Sequence, residues 1–349
     1  MEKNTDKGNP FGAHRVIEPK GVLPQPAQKL DNSMDRIWDN EILVDVEVLN
    51  VDSASFTQIK EEANGDEKVI ADIILKTVAE RGKQHNPVTG SGGMFIGTVN
   101  KVGAALKNRD LKKGDQIASL VSLSLTPLHI EKILKVKKEI DQVVIKGKAI
   151  LFESAIYAKL PNDMPAGLAL AALDVAGAPA QAARLAKKGD TVAILGATGK
   201  SGILCAWALR EKIGNEGRII GLGHSAEKCK LLESLSLCDE VIAINATDAL
   251  ECHKTVSQLT HDKMANLVIN CVNIPNTEMA SILMCQEEGT VYFFSMATSF
   301  TKAALGAEGV GKDISMIIGN GYARGHADLT LSILRKSKTI RELYEKLYA

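Results

Sequence analysis

The stretch Thr191–Gly202, TVAILGATGKSG, constrains this chain more than any other. Val192 to Leu195 is a short apolar run that reads as a buried parallel strand, and Ile203 to Lys212 reads as a helix. Between them Gly196, Gly199 and Gly202 are spaced G-x-x-G-x-x-G. A strand that enters a helix through such a turn offers free backbone N–H groups and the positive end of the helix dipole to a phosphate. The glycines let the backbone turn tightly and approach the ligand closely. The turn therefore points to the pyrophosphate of a dinucleotide. Gly199-Lys200-Ser201 also looks like the end of a nucleoside-triphosphate loop. That loop requires a glycine five positions before its second glycine, and position 194 is Ile.

After Thr191 the pattern alternates. Strands are predicted over Arg218–Leu222, Val241–Ile244, Leu267–Cys271 and Thr290–Phe294, with helices over Glu227–Ser234, Ala249–Leu259 and Met279–Cys285. Such alternation predicts an α/β domain built on a doubly wound parallel sheet. The earlier half reads differently. Glu41–Val51 alternates, with Ile42, Val44, Val46 and Val48 on one face, as in a half-buried antiparallel strand. Asp52–Ser55 reads as a polar turn, Asp66–Arg81 as a helix stopped by Gly82, and Gln116–Val121 as a strand fed by the tight turn Leu111–Asp115. Short strands separated by turns predict a β-rich, barrel-like first domain. Residues 1 to about 40 form an irregular arm whose first ten or so residues read as a disordered tail. Pro161–Gly189 is alanine-rich and helical and links the domains, and the tail from Thr301 is more helical and is expected to return to the first domain.

A chain of 349 residues suits two such domains. Lys+Arg and Asp+Glu both number 42, so the chain carries no basic footprint for nucleic acid. No apolar run reaches the length of a membrane span, and the polar N-terminus has no signal core. The six cysteines form no C-x-x-C pair and the seven histidines no ligand cluster, so free thiols in a reducing cytoplasm are expected, with no metal.

Pro87–Gly103 (PVTGSGGMFIGTVNKVG), Leu111–Ile117 (LKKGDQI) and Leu173–Gly202 together resemble the medium-chain dehydrogenase/reductase family. The resemblance covers most of the chain. It implies a GroES-like catalytic domain over residues 1–165 and 300–349 and a Rossmann domain over 166–299. It further implies a homodimer whose sheet is extended by the strand Thr290–Phe294, and an enzyme that uses NAD or NADP. The arm HRVIEPKGVLPQPAQKLDN and the strand EILVDVEVLNVDSASF, with GATGKSG, are similar to a branch that oxidatively deaminates a small diamino acid. Many family members hold a catalytic zinc through a Cys, a Gly-His-Glu triplet and a further ligand. Here the first position falls on Ser53, the triplet region reads Gly90-Ser91-Gly92, and no Cys precedes Cys205, so a zinc-free enzyme is expected.

By family position the substrate is expected between Asp52–Ser55, His85–Ser91 and Asp174. Hydride loss from an amine requires the ammonium to be deprotonated first, work for a carboxylate or imidazole. Asp174 lies on an otherwise apolar helix, where an acid needs a partner, and reads equally as a helix-end carboxylate. Asp52 reads as a catalytic acid or a turn acid, His85 as a base or a solvated loop residue, and Ser53 and Ser91 as polar contacts. For the cofactor the candidates are Gly196, Thr198, Gly199, Lys200, Ser201 and Gly202 at the turn. After the second strand, His224 stands where an NAD-selective site places an acid, and Ser225 and Lys228 offer partners for a 2′-phosphate. Asn245 follows the third strand, Cys271, Val272 and Asn273 end the fourth, and Ser295 and Met296 follow the fifth. Two other functions stay open on these residues: a zinc-free quinone or enoyl reductase, and a non-catalytic dinucleotide-binding protein.

Overall fold

The computed structural model describes residues 6–348, apart from 87–89, 91, 107, 108 and 320 and the side chains of Ser53 and Ala54. The chain divides into two compact units, Met1–Leu170 and Ala171–Ala349.

In the first unit a short pair, β1 (Val16–Glu18) and β2 (Lys29–Leu30), orders the arm. The main sheet is antiparallel and comprises β3 (Glu41–Asn50), β4 (Met94–Val102), β5 (Gln116–Ser119), β6 (Leu128–Lys137), β7 (Gln142–Phe152) and β8 (Tyr157–Lys159), in the order β6-β7-β3-β4-β5-β8. The β-rich expectation holds, but β6 and β7 are additions to the sequence reading. The predicted strand at 41–51 is central rather than half-exposed, since β3 pairs with both β4 and β7. Its register shifts between Val46 and Val48, so the inward phase changes and Leu49 enters the core while Val48 is only half-buried. Asp52–Ser55 is not a turn. Asp52 is the N-cap of α1 (Ser53–Glu62), which is followed by α2 (Glu67–Arg81), capped by Asp66 and ended by Gly82 in the left-handed region. Phe56 and Ile59 of α1 and Ile70, Ile74 and Val78 of α2 join Ile42, Val44 and Leu49 in one core.

The alanine-rich link is two helices, α3 (Ala166–Leu173) and α4 (Gly177–Leu185), bent by 46° across Asp174–Ala176. No single helix among the described residues is long and apolar enough to cross a membrane. The second unit carries a six-stranded parallel sheet. Its elements are β9 (Thr191–Leu195), α5 (Lys200–Ile213), β10 (Arg218–Gly223), α6 (Ala226–Ser234), β11 (Glu240–Ala243), α7 (Ala249–Thr260), β12 (Ala265–Asn270), α8 (Glu278–Met284), β13 (Cys285–Phe293), α9 (Phe300–Gly309) and β14 (Ser315–Ile318). The order β11-β10-β9-β12-β13-β14 is that of a doubly wound dinucleotide-binding sheet, as the alternation predicts.

Two expectations about the tail are corrected. It contributes a sixth strand, β14, so the strand at 290–294 lies inside the sheet between β12 and β14 and is not its edge. Nor do residues 300–349 belong with the first unit: α10 (His326–Lys336) packs on α4 and α5, and α11 (Lys338–Tyr348) follows it within the second. The apolar stripes of these helices, which include Leu331, Leu334, Ile340 and Tyr344, are buried there.

Candidate active site

The glycine turn has three different jobs. Gly196 adopts φ +84°, and its N–H and that of Ala197 both donate to Leu222 O, which ties the turn to the end of β10. A Cβ at Gly196 would lie 2.9 Å from Val272 Cγ2, and one at Gly202 would sit inside contact distance of the Gly196 carbonyl oxygen. Gly199 is the N-cap of α5 and has room: the nearest atom to a Cβ there would be 3.4 Å away. No side chain caps this helix, and its first-turn N–H groups have no partner within it. A cradle that side chains would fill and a helix start without a cap fit the pyrophosphate of a dinucleotide.

Around the turn, Thr198 packs on Gly223, whose Cβ would lie 2.5 Å from Thr198 Cγ2. The side chains of Ser201 and Cys271 are engaged with each other, and Cys271 also with the Cys205 thiol. Burial pushes the Cys205 thiol well above its usual range. Lys200 does not reach outward: its Nζ lies 2.5 Å from Asp174 Oδ2, and its carbonyl accepts the Tyr344 hydroxyl. Asp174 does not lie on a helix, as the sequence suggests, but in the break after α3, and the partner it finds there is Lys200, a residue expected at the cofactor. The Asp174 side chain remains 35% exposed.

His224 and Lys228 are exposed, while the Ser225 hydroxyl caps α6 through the Lys228 N–H at 3.4 Å. Asn245 Oδ1 accepts from the Thr247 N–H at 3.1 Å and hydroxyl at 2.9 Å, which is turn chemistry. The Val272 N–H donates to Asn270 Oδ1 at 3.0 Å, and Asn273 is exposed. Ser295 Oγ accepts from the Ala297 N–H at 3.1 Å, leaving Met296 77% exposed. The sequence reading missed Asn270. Fully buried, it donates to Thr277 Oγ1 and Ser281 Oγ, each at 2.9 Å, and so fixes the segment Cys271–Asn273 that leaves β12. A polar residue ending a run of apolar ones, NLVIN, is the signal for it.

In the first unit Asp52 Oδ1 accepts from the Ser55 N–H at 3.0 Å, while Oδ2 is buried and receives no bond. His85 also buries an unbonded atom, Nδ1. Burial first, and then the charges of Lys83 and Arg81, push its imidazole down from 6.5 to about 4, so the ring is neutral at physiological pH. Lys83 itself is wholly buried, with Nζ donating to Pro24 O at 2.8 Å and Gln25 O at 2.9 Å, and burial lowers it to about 8. Ser91 and the Ser53 side chain lie outside the described residues. Among the described residues no group of three or more His, Cys, Asp or Glu side chains gathers as metal ligands would.

Comparison with known proteins agrees with this architecture. Residues 14–161 match the family described as L-erythro-3,5-diaminohexanoate dehydrogenase N-terminal domain. L-erythro-3,5-diaminohexanoate dehydrogenase from Acetoanaerobium sticklandii is 60% identical over 98% of this chain and 99% of its own, and the enzyme of the same name from Fusobacterium nucleatum is 57% identical over the same shares. Among solved structures, an alcohol dehydrogenase from Thermotoga maritima shares the fold, with a TM-score of 0.55 at 17% identity over 90% of this chain and 86% of its own. Sequence carriers and both units thus place this chain in the L-erythro-3,5-diaminohexanoate dehydrogenase family.

Proposed function

We propose that this chain oxidatively deaminates L-erythro-3,5-diaminohexanoate to 5-amino-3-oxohexanoate and ammonia in anaerobic lysine fermentation. The observation that carries the reading is the 60% identity to the enzyme of that name over nearly the whole chain. The 3-ammonium loses a proton, C3 gives up its hydrogen with the electron pair, water adds to the resulting iminium carbon, and the C–N bond breaks to release ammonia.

NAD or NADP bound at Gly196–Gly202 supplies the hydride acceptor. On the protein side, Asp174 takes the proton of the 3-ammonium while Lys200 fixes the direction of its carboxylate. Asp52, His85, Ser53 and Ser91 form the rest of the substrate set. Around the cofactor the proposed contacts are Thr198, His224, Ser225, Lys228 and Asn245, with the backbone at Cys271–Asn273 and Ser295–Met296. The domain division at about residue 165 follows the same reading, with the correction of the tail. Unpaired cysteines support a reducing, cytoplasmic location.

The test follows nicotinamide absorbance and ammonia release with the diamino acid as substrate. Turnover with stoichiometric ammonia is expected. Activity on quinones or enones alone would establish a reductase instead, and cofactor binding without turnover a sensor. Asp174→Asn should keep the fold and cofactor affinity but lose at least about a hundredfold in kcat/KM, the size of a lost general base. Unchanged turnover in that variant would remove Asp174 from the chemistry.

A further inference from the structure

Two thiols of the second unit touch. Cys205, fully buried on α5, donates its S–H to the sulfur of Cys271, and the Ser201 hydroxyl is engaged with the same sulfur. Ser201 and Cys205 stand one turn apart on α5, so one helix face presents both to the residue that follows β12. The contact is special to this pair. Burial pushes the thiols of Cys229, Cys238, Cys252 and Cys285 up, and among the described residues none of these is engaged with another cysteine. The bond from Cys205 first, helped by that from Ser201, outweighs burial and brings the Cys271 thiol below its ordinary value. The pair is also asymmetric in access. Cys271 is partly exposed, whereas Cys205 is enclosed, with the buried phenols of Tyr292 and Tyr344 within electrostatic reach of both sulfurs. A thiol that ionises readily, can be reached from solvent and stands against a second thiol has the features of an oxidation site.

We propose that Cys271 and Cys205 are a peroxide-sensitive dithiol whose disulfide weakens dinucleotide binding at the glycine turn. This rests on the reading of Gly196–Gly202 as the pyrophosphate site. The Cys271 thiolate attacks one oxygen of hydrogen peroxide, the O–O bond breaks, and the leaving hydroxide takes up the proton that Cys271 shed and departs as water. Cys271 is then a sulfenic acid. The Cys205 sulfur attacks it, the S–OH bond breaks, and the hydroxyl leaves with the Cys205 proton as a second water. The two thiols lose two electrons and the peroxide gains them. The new bond ties α5 to the end of β12, two elements that meet at the glycine turn. Gly196 packs on Cys271: a Cβ on it would lie 3.1 Å from the Cys271 carbonyl carbon, and the Cys271 N–H donates to Leu195 O at 2.8 Å. Gly202 packs on Gly196 in turn, with 2.3 Å between a Cβ there and the Gly196 carbonyl oxygen. Drawing the sulfurs from contact into a covalent bond displaces one of these layers against the next. Both outer layers are anchored, since Asn270 fixes the strand end and the Tyr344 hydroxyl holds the Lys200 carbonyl. The glycines between them take up the shift, and their backbone is what the dinucleotide is proposed to meet.

The experiment treats the reduced full chain with hydrogen peroxide, maps linked cysteines by mass spectrometry of unreduced peptides, and titrates the reduced nicotinamide by fluorescence. The wild type should show a link between Cys205 and Cys271 and lose at least about tenfold in dinucleotide affinity, and dithiothreitol should reverse both. Cys205→Ser keeps the size of the side chain and a donor towards Cys271. It should bind the dinucleotide as the untreated wild type does. After peroxide it should show no link, and dimedone should capture the Cys271 sulfenic acid instead. Thiols that survive the treatment at positions 205 and 271, a link to any other cysteine, or a mapped link with unchanged affinity would each overturn the proposal. An untreated wild type that binds no dinucleotide would overturn the reading of the glycine turn, and the effect on binding with it, whether or not the link forms.

Discussion

Glu41 accepts four hydrogen bonds at the start of β3, and its position there shows how one residue holds the arm. Oε1 accepts from His14 Nε2 at 2.7 Å and Arg15 Nε at 2.9 Å, and Oε2 accepts from Arg15 Nη2 at 2.7 Å and the Trp38 N–H at 3.0 Å. Burial alone would raise its carboxyl, but the His14, Arg15 and Trp38 bonds and the Arg15 charge outweigh it and hold the group at about 2. The folded value lies below the ordinary 4.5, so the stability this group supplies is complete above about pH 4.5 and is lost as the pH falls towards 2. Glu41→Ala leaves the Arg15 guanidinium buried without its main partner. It should lose about 3–5 kcal/mol, read as a lower urea midpoint at pH 7, with a weaker acid transition than the wild type between pH 4.5 and 2. A midpoint within experimental error of wild type would show that the arm does not depend on this pair. None of this is legible in the sequence, where Glu41 is only the first residue of the alternating stretch 41–51. Its partners lie 26 and 27 residues earlier in an arm with no periodicity.

At the scale of elements, what the sequence showed clearly was the second unit, because each βα step has its own local signal. The strands appear as apolar runs, and the turns as glycines. The first unit was harder. β7 carries Lys146 and Lys148 on its exposed phase, and β6 is studded with lysines, so neither looked apolar enough to be noticed, yet β7 supplies Val143, Ile145 and Leu151 to the core. β14 was missed because four residues between a helix and a glycine carry little periodicity. The glycine turn makes a sharp prediction. Gly202→Ala drives a methyl into the Gly196 carbonyl, whereas Gly199→Ala meets its nearest atom at 3.4 Å. The first substitution should weaken cofactor binding by at least about tenfold, since it displaces the backbone proposed to receive the pyrophosphate, and the second should change it far less. Fluorescence titration with the reduced nicotinamide measures both, and equal effects would contradict the division of roles. At the end of β10 the acid that excludes a 2′-phosphate is missing, for His224 stands there, exposed. Comparable kcat/KM with NAD and NADP is expected, and His224→Asp should shift the preference towards NAD. A strong NAD preference in the wild type would show that another group discriminates.

For the whole molecule, the edges of the second unit's sheet bear on whether a second copy attaches. The family resemblance led to the strand at 290–294 as the joining edge, but that strand has neighbours on both sides. The edge of the second unit's sheet on that side is β14, a strand of four residues beside which no further strand pairs among the described residues. An unpaired edge presents a row of N–H and C=O groups, and a two-fold axis beside it would let the same strand of two copies pair antiparallel into one continuous sheet. The side chains are those of an edge awaiting cover. Ile318 is 60% exposed, and α9, which leads into β14, leaves Leu305 62% exposed. Apolar groups of this size at an open edge favour association, and a charge at either place should oppose it. Light scattering after size exclusion should give twice the 37.4 kDa chain mass for the wild type and the single chain mass for the double variant Ile318→Lys, Leu305→Glu, with unchanged circular dichroism. A double variant that remains dimeric would place the interface elsewhere, and a monomeric wild type would show that the short strand closes its own edge.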